Sequence, residues 1–95
     1  MNRFKYWKNV SSQISKCLAL CNSYISKSES EIVLEYLEHN ELGLAIESLG
    51  DIAMEEDWDL PVSTKIEILK TLEMMGYQTR KESVYEIYRL WTEGT

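Results

Sequence analysis

The chain has 95 residues, 44% of them hydrophobic and 11% aromatic, with 10 Lys and Arg against 16 Asp and Glu for a net charge of −6. That length holds one domain, and the apolar share supplies a core, which excludes a disordered chain. The negative charge argues against nucleic acid or an anionic membrane as a partner of the whole chain, and with neither a membrane span nor a secretory signal in the sequence a cytoplasmic protein is expected.

One proline and four glycines are too few for a turn-rich β protein, so the pattern is read as helices. The first helix is predicted from Arg3 to Ile25. Phe4, Trp7, Ile14, Leu18, Cys21 and Ile25 recur at intervals of three and four, with a gap around Val10 and Ser11, and form one apolar stripe. Lys5, Lys8 and Lys16 lie off it. Cys17 and Cys21 stand one helical turn apart, a placement that does not favour a bridge, and read as small buried hydrophobes. His39 is the only histidine, which leaves no ligand set for a metal.

Ser28 as N-cap with Glu31 at N3 predicts a second helix to about His39, with Ile32, Val33, Tyr36 and Leu37 inward. Asn40 is the expected N-cap of a third, running to about Glu56 with Leu42, Ala45, Ile46, Leu49, Ile52 and Ala53 inward. Gly43 and Gly50, seven apart, share a face of that helix, and the close approach of a neighbouring element is the simplest reason for them. Asp57-Trp58-Asp59-Leu60-Pro61 interrupts the pattern, because Pro61 pushes Leu60 towards an extended conformation. Ser63 then caps a fourth helix with Ile66, Leu69, Leu72 and Met75 as its stripe and Gly76 at C′. Thr79-Arg80-Lys81-Glu82 repeats the capping-box spacing and opens a last helix with Val84, Ile87, Tyr88 and Trp91 on one face. The expected fold is a small all-α, single-domain bundle of four to five helices over residues 1–95.

Charge along this bundle is segregated. Residues 1–27 hold Arg3, Lys5, Lys8, Lys16 and Lys27 and no acid, a charge of +5. Residues 28–59 hold eleven acids and no Lys or Arg, a charge of −11, and residues 60–95 balance. Glu31, Glu35 and Glu38 fall on one face of the second helix, and Glu47, Asp51 and Glu55 on one face of the third. Like charges at that spacing cost a helix a few tenths of a kcal/mol per pair. A surface for a cationic partner would justify that cost. It would comprise Glu31, Glu35, Glu38, Glu47, Asp51, Glu55, Glu56, Asp57 and Asp59, with Trp58 as a candidate anchor. Two plainer readings stand beside it: a solvated acidic face, and neutralisation within the molecule by the basic first helix.

Catalytic chemistry finds no foothold. There is no Gly-rich phosphate loop, no nucleophile with a neighbouring base, and carboxylates on wet helix faces ionise normally. The acids around Asp57 lack the glycine and ligand spacing of an EF-hand. Neither a cofactor nor an enzymatic activity is expected.

Glu35-Tyr36-Leu37-Glu38-His39-Asn40-Glu41-Leu42-Gly43-Leu44-Ala45-Ile46-Glu47-Ser48-Leu49, followed by Glu55-Glu56-Asp57-Trp58-Asp59-Leu60-Pro61-Val62-Ser63 and a closing Leu69 to Met75-Gly76, resembles the pattern of small bacterial MafI-like immunity proteins over residues 31–77. Val62 stands where that pattern has leucine, and the first and last helices fall outside it. The resemblance implies an immunity protein of a contact-dependent growth-inhibition or other polymorphic toxin system. Its partner would be the cognate toxin C-terminal domain, an RNase or DNase with a basic surface. The alternative of another class is a small helical adaptor or transcriptional regulator, dimeric through its first helix.

Overall fold

The computed structural model describes residues 3–56, 60–80 and 84–94. They form five α-helices and one 3-10 turn, and no strand occurs among the described residues. The molecule is a small all-α domain.

The first helix, α1 (Arg3–Cys21), sends Val10, Ile14, Cys17, Leu18 and Cys21 into the core. Two expectations are corrected here. Val10, placed in a gap of the stripe, is fully buried, whereas Phe4 and Trp7 are 71% and 41% exposed. Trp7 precedes Val10 and Ile14 by three and seven residues and so shares their face. The apolar stripe therefore outruns the bundle that covers it. The helix also stops at Cys21, where turns closed by Asn22 N–H to the Ala19 carbonyl and Tyr24 N–H to the Cys21 carbonyl redirect the chain.

A second helix, α2 (Lys27–Glu38), starts earlier than predicted. The run Ser26-Lys27-Ser28-Glu29-Ser30-Glu31 contains the Ser-x-x-Glu spacing twice, and the first copy is used. Glu29 N–H donates to Ser26 Oγ at 3.1 Å and Ser26 N–H donates to Glu29 Oε1 at 2.8 Å, a reciprocal capping box. Ser28 Oγ lies 3.1 Å from Ser26 Oγ instead of capping. Glu31 is thereby released from any cap.

Asn40 closes α2 rather than opening the next helix. Its φ of 57° is left-handed, a region asparagine tolerates better than most residues. Asn40 N–H reaches the Leu37 carbonyl and Glu41 N–H the Tyr36 carbonyl, the two bonds of a Schellman motif. The third helix, α3 (Leu42–Glu55), follows at once and buries Leu42, Ala45, Ile46, Leu49, Gly50 and Ala53.

Pro61, not Ser63, occupies the N-cap position of α4 (Val62–Met74). Its buried face is Thr64, Ile68, Thr71 and Leu72, while Ile66 is 48% exposed. The face is turned from the purely apolar stripe expected because two threonines go inside. Thr71 Oγ1 donates to the Glu67 carbonyl at 2.8 Å and lies 3.3 Å from Cys17 Sγ, so its hydroxyl carries no desolvation cost. Gly76, at φ 78°, ends α4 as expected and leads into the 3-10 turn Tyr77–Thr79. Thr79 Oγ1 donates to the Gly76 carbonyl rather than capping a helix, and Lys81 and Glu82 lie outside the described residues. In α5 (Tyr85–Thr92), Tyr88 is buried and Ile87 is 60% exposed.

The helices pair as α2 on α3, α1 on α4 and α4 on α5, with α1 also against α3. Gln13 Nε2 donates to Glu67 Oε1 at 2.9 Å and Lys16 Nζ lies 3.2 Å from the same oxygen, pinning α1 to α4. Those two donors hold the Glu67 carboxyl below its ordinary pKa. Cys17 and Cys21 are free and buried. Burial raises both thiols, Cys21 to about 11, so they stay protonated and pack as apolar groups. No helix among the described residues is long and apolar enough to cross a membrane.

Candidate partner-binding surface

The acids of α2 and those of α3 are placed differently. Val33 is fully buried, which fixes the inward direction of α2. Glu31, Glu35 and Glu38 lie on the opposite face and are exposed. Ile32, predicted to face inward, is 47% exposed and Leu34 is 45% exposed. At 100° per residue these two flank the acidic ridge on either side. The result is a carboxylate line bordered by apolar side chains. Periodicity alone obscured this, because Ile32 sits next to Val33 and reads as part of the same stripe. Anchoring the helix on its three acids would have placed Ile32 and Leu34 at the flanks.

His39, at the end of this ridge, senses its charge. The Glu35 carbonyl, 2.9 Å from His39 Nδ1, raises the imidazole pKa, and the carboxylates of Glu35, Glu41 and Glu38 add to the rise.

On α3 two of the three aligned acids are engaged within the molecule. Tyr77 Oη donates to Glu47 Oε2 at 2.6 Å, and Tyr88 Oη donates to Asp51 Oδ1 at 2.8 Å and to the Glu47 carbonyl at 3.3 Å. A glycine lies beside each phenol, and at Gly50 the approach requires it. A Cβ on Gly50 would stand 2.6–2.9 Å from the Tyr88 ring and hydroxyl, and one on Gly43 would stand 3.3 Å from Tyr77 Oη. Close approach, expected from the seven-residue glycine spacing, is what the fold uses, with a buried phenol as the neighbour in both cases.

Glu47 and Asp51 are thus acceptors that fasten the 3-10 turn and α5 to α3. Glu55 is exposed and Glu56 half-buried at the end of α3. Asp57, Trp58 and Asp59 lie outside the described residues. Of the ten candidate residues, the structure brings Glu31, Glu35 and Glu38 together on one solvent-facing ridge and assigns Glu47 and Asp51 an internal bond each.

Burial and the acceptor carboxylates raise both phenols, Tyr77 to about 12 and Tyr88 further. An unfolded tyrosine titrates near 10. Between those values the folded state keeps protons that the unfolded state has lost, so stability is full below pH 10 and falls as pH rises through about 12. Tyrosinate absorbance followed against pH alongside far-ultraviolet circular dichroism is expected to show Tyr77 and Tyr88 ionising only as helicity is lost. Tyr77→Phe and Tyr88→Phe should remove that late phase.

The ion pairs between described residues lie away from the α2 ridge. Lys16 pairs with Glu67 of α4, and Arg89 with Glu86 and Glu93 of its own helix or its end. None of these ion pairs uses an acid of α2 or α3. Among the described residues there is also no group of three or more His, Cys, Asp or Glu side chains placed to hold a metal ion. No protein-family model, no curated protein and no solved structure matches the chain.

Proposed function

We propose that this protein is a non-enzymatic inhibitor that docks the outer face of α2 on a protein partner with a cationic surface. Specifically, we read it as an immunity protein that occludes a cognate bacterial toxin domain, an RNase or DNase. The observation that carries the reading is the ridge of Glu31, Glu35 and Glu38. It faces solvent, takes no internal ion pair among the described residues and is bordered by exposed Ile32 and Leu34. A structure needs none of those carboxylates there, since like charges at that spacing oppose the helix. A nuclease cleft lined by Lys and Arg would supply the missing counter-charges, the carboxylates standing in for substrate phosphates. The apolar flanks would supply the desolvated contact that charge alone does not, since rim charges govern association rate more than affinity. The resemblance over residues 31–77 points to the same class of partner.

Co-expression with the candidate toxin domain is the test. Rescue of growth is expected, with an association rate that falls steeply as salt rises. Cells that die despite soluble expression of both proteins would rule the immunity reading out. A salt-independent rate would move the contact to an apolar face.

A further inference from the structure

A second surface of this molecule has no role in that reading. Where the α1 stripe outruns the bundle, Phe4, Trp7, Lys8, Ser11 and Ser12, together with Asn40, line an open groove of about 500 Å³. Two of its lining residues, Phe4 and Trp7, are aromatic, the Arg3 guanidinium sits 5.7 Å from the centroid of the Trp7 ring, and Lys8 is exposed. No acid is among the described residues that line the groove. Its chemistry is apolar and cationic.

We infer that this groove receives the acidic α2 ridge of a second copy of the chain, Phe4 and Trp7 packing on its Ile32 or Leu34 flank while Arg3 and Lys8 pair with its carboxylates. Three observations carry the assignment. Pairing of two grooves directly is opposed by charge, because Arg3 and Lys8 would face their own kind. The complement that the groove needs, carboxylates with aliphatic neighbours, is the outer face of α2, with Ile32 and Leu34 exposed beside its acids. The two surfaces also stand at one end of the molecule. Asn40, one residue beyond the cap of α2, lines the groove, so the groove adjoins the Glu38 end of the ridge. A two-fold axis that seats each groove on the partner's ridge at once gives a closed isologous dimer rather than a fibre.

The inference stands apart from the toxin reading, although the two share the ridge, so a cationic partner and the second copy would compete for it. Its test uses the free protein alone. In sedimentation velocity over a concentration series the wild type is expected to be a dimer that dissociates as salt is raised. Lys8→Glu and Glu35→Lys, both on exposed positions and checked for helicity, are each expected to weaken dimerisation at least tenfold. An equimolar mixture of the two variants is expected to restore it. In the mixed dimer one groove-and-ridge contact carries both reversed charges, which attract again, and the other keeps the native pair. Trp7→Ala should weaken dimerisation without altering its salt dependence. A wild type that stays monomeric at every concentration overturns the inference, and so does a mixture that associates no better than its components. Growth rescue by co-expression is indifferent to either result.

Discussion

Changing Glu31, Glu35 and Glu38 together to lysine is expected to slow association with a cationic partner by about 10- to 1000-fold at low salt, the range over which steering fields act on encounter rates. Rapid-mixing kinetics over a salt series would measure it, and the variant's salt dependence should invert. Folding should survive, because all three side chains are exposed and none closes the Ser26–Glu29 cap. The control lies in α3. Glu47→Gln and Asp51→Asn also remove acidic charge but act on the tyrosine bonds, so they are expected to lower the denaturation midpoint and leave the association rate near that of the wild type. If the α3 pair slowed association as much as the α2 triple, the partner surface would have to be redrawn onto α3.

Gly50→Ala is expected to destabilise the fold, against the ordinary rule for a glycine inside a helix. Helix propensity alone favours alanine by about 1 kcal/mol. Here the added Cβ would meet the Tyr88 hydroxyl and ring at 2.6–2.9 Å, and Tyr88 is held against α3 by its bonds to Asp51 and the Glu47 carbonyl. Overpacking of this kind costs about 1–3 kcal/mol and sometimes more, so steric cost wins. Gly43→Ala is the matched comparison. Its Cβ would meet only Tyr77 Oη closely, at 3.3 Å, the movable end of a side chain, so propensity should prevail and the change be neutral or stabilising by up to about 1 kcal/mol. Urea denaturation of the two variants measures the contrast, and equal effects would refute the account of Gly50.

Much of the architecture could be read from the residues because local chemistry and tertiary packing agree there. Leu42, Ala45, Ile46, Leu49 and Ala53 are periodic and buried, and Gly76 ends α4 at positive φ. The errors fall where two equivalent local signals compete or where a polar group goes inside. Ser26 and Ser28 each precede a glutamate by three residues, and only the tertiary course of the chain after Cys21 selects the first. Asn40 can cap a following helix or close a preceding one, and periodicity does not separate the two. Thr64 and Thr71 take the buried face of α4 in place of Ile66, the Thr71 hydroxyl finding its partners inside. For the candidate surface, the α2 ridge was legible as three acids on one face. The internal use of Glu47 and Asp51 was not, since it depends on tyrosines 30 and 37 residues further along the chain. The glycine spacing was the one local hint that something would pack against that side of α3.

Eight residues make α5 the shortest helix described, below the roughly 12–15 at which an isolated helix begins to hold in water. It exists because it is docked, through Tyr88 beside Gly50, Tyr85 Oη on Glu73 at 2.7 Å and the Trp91 ring beneath Lys65. A helix held in that way leaves as a unit. Its undocking is expected to be a partial opening that unmasks Gly50 on α3 while the α1–α4 interior stays closed. The amide protons of residues 88–92 would then exchange with solvent through that partial opening, ahead of those in α1 and α3, which wait for the whole molecule to unfold.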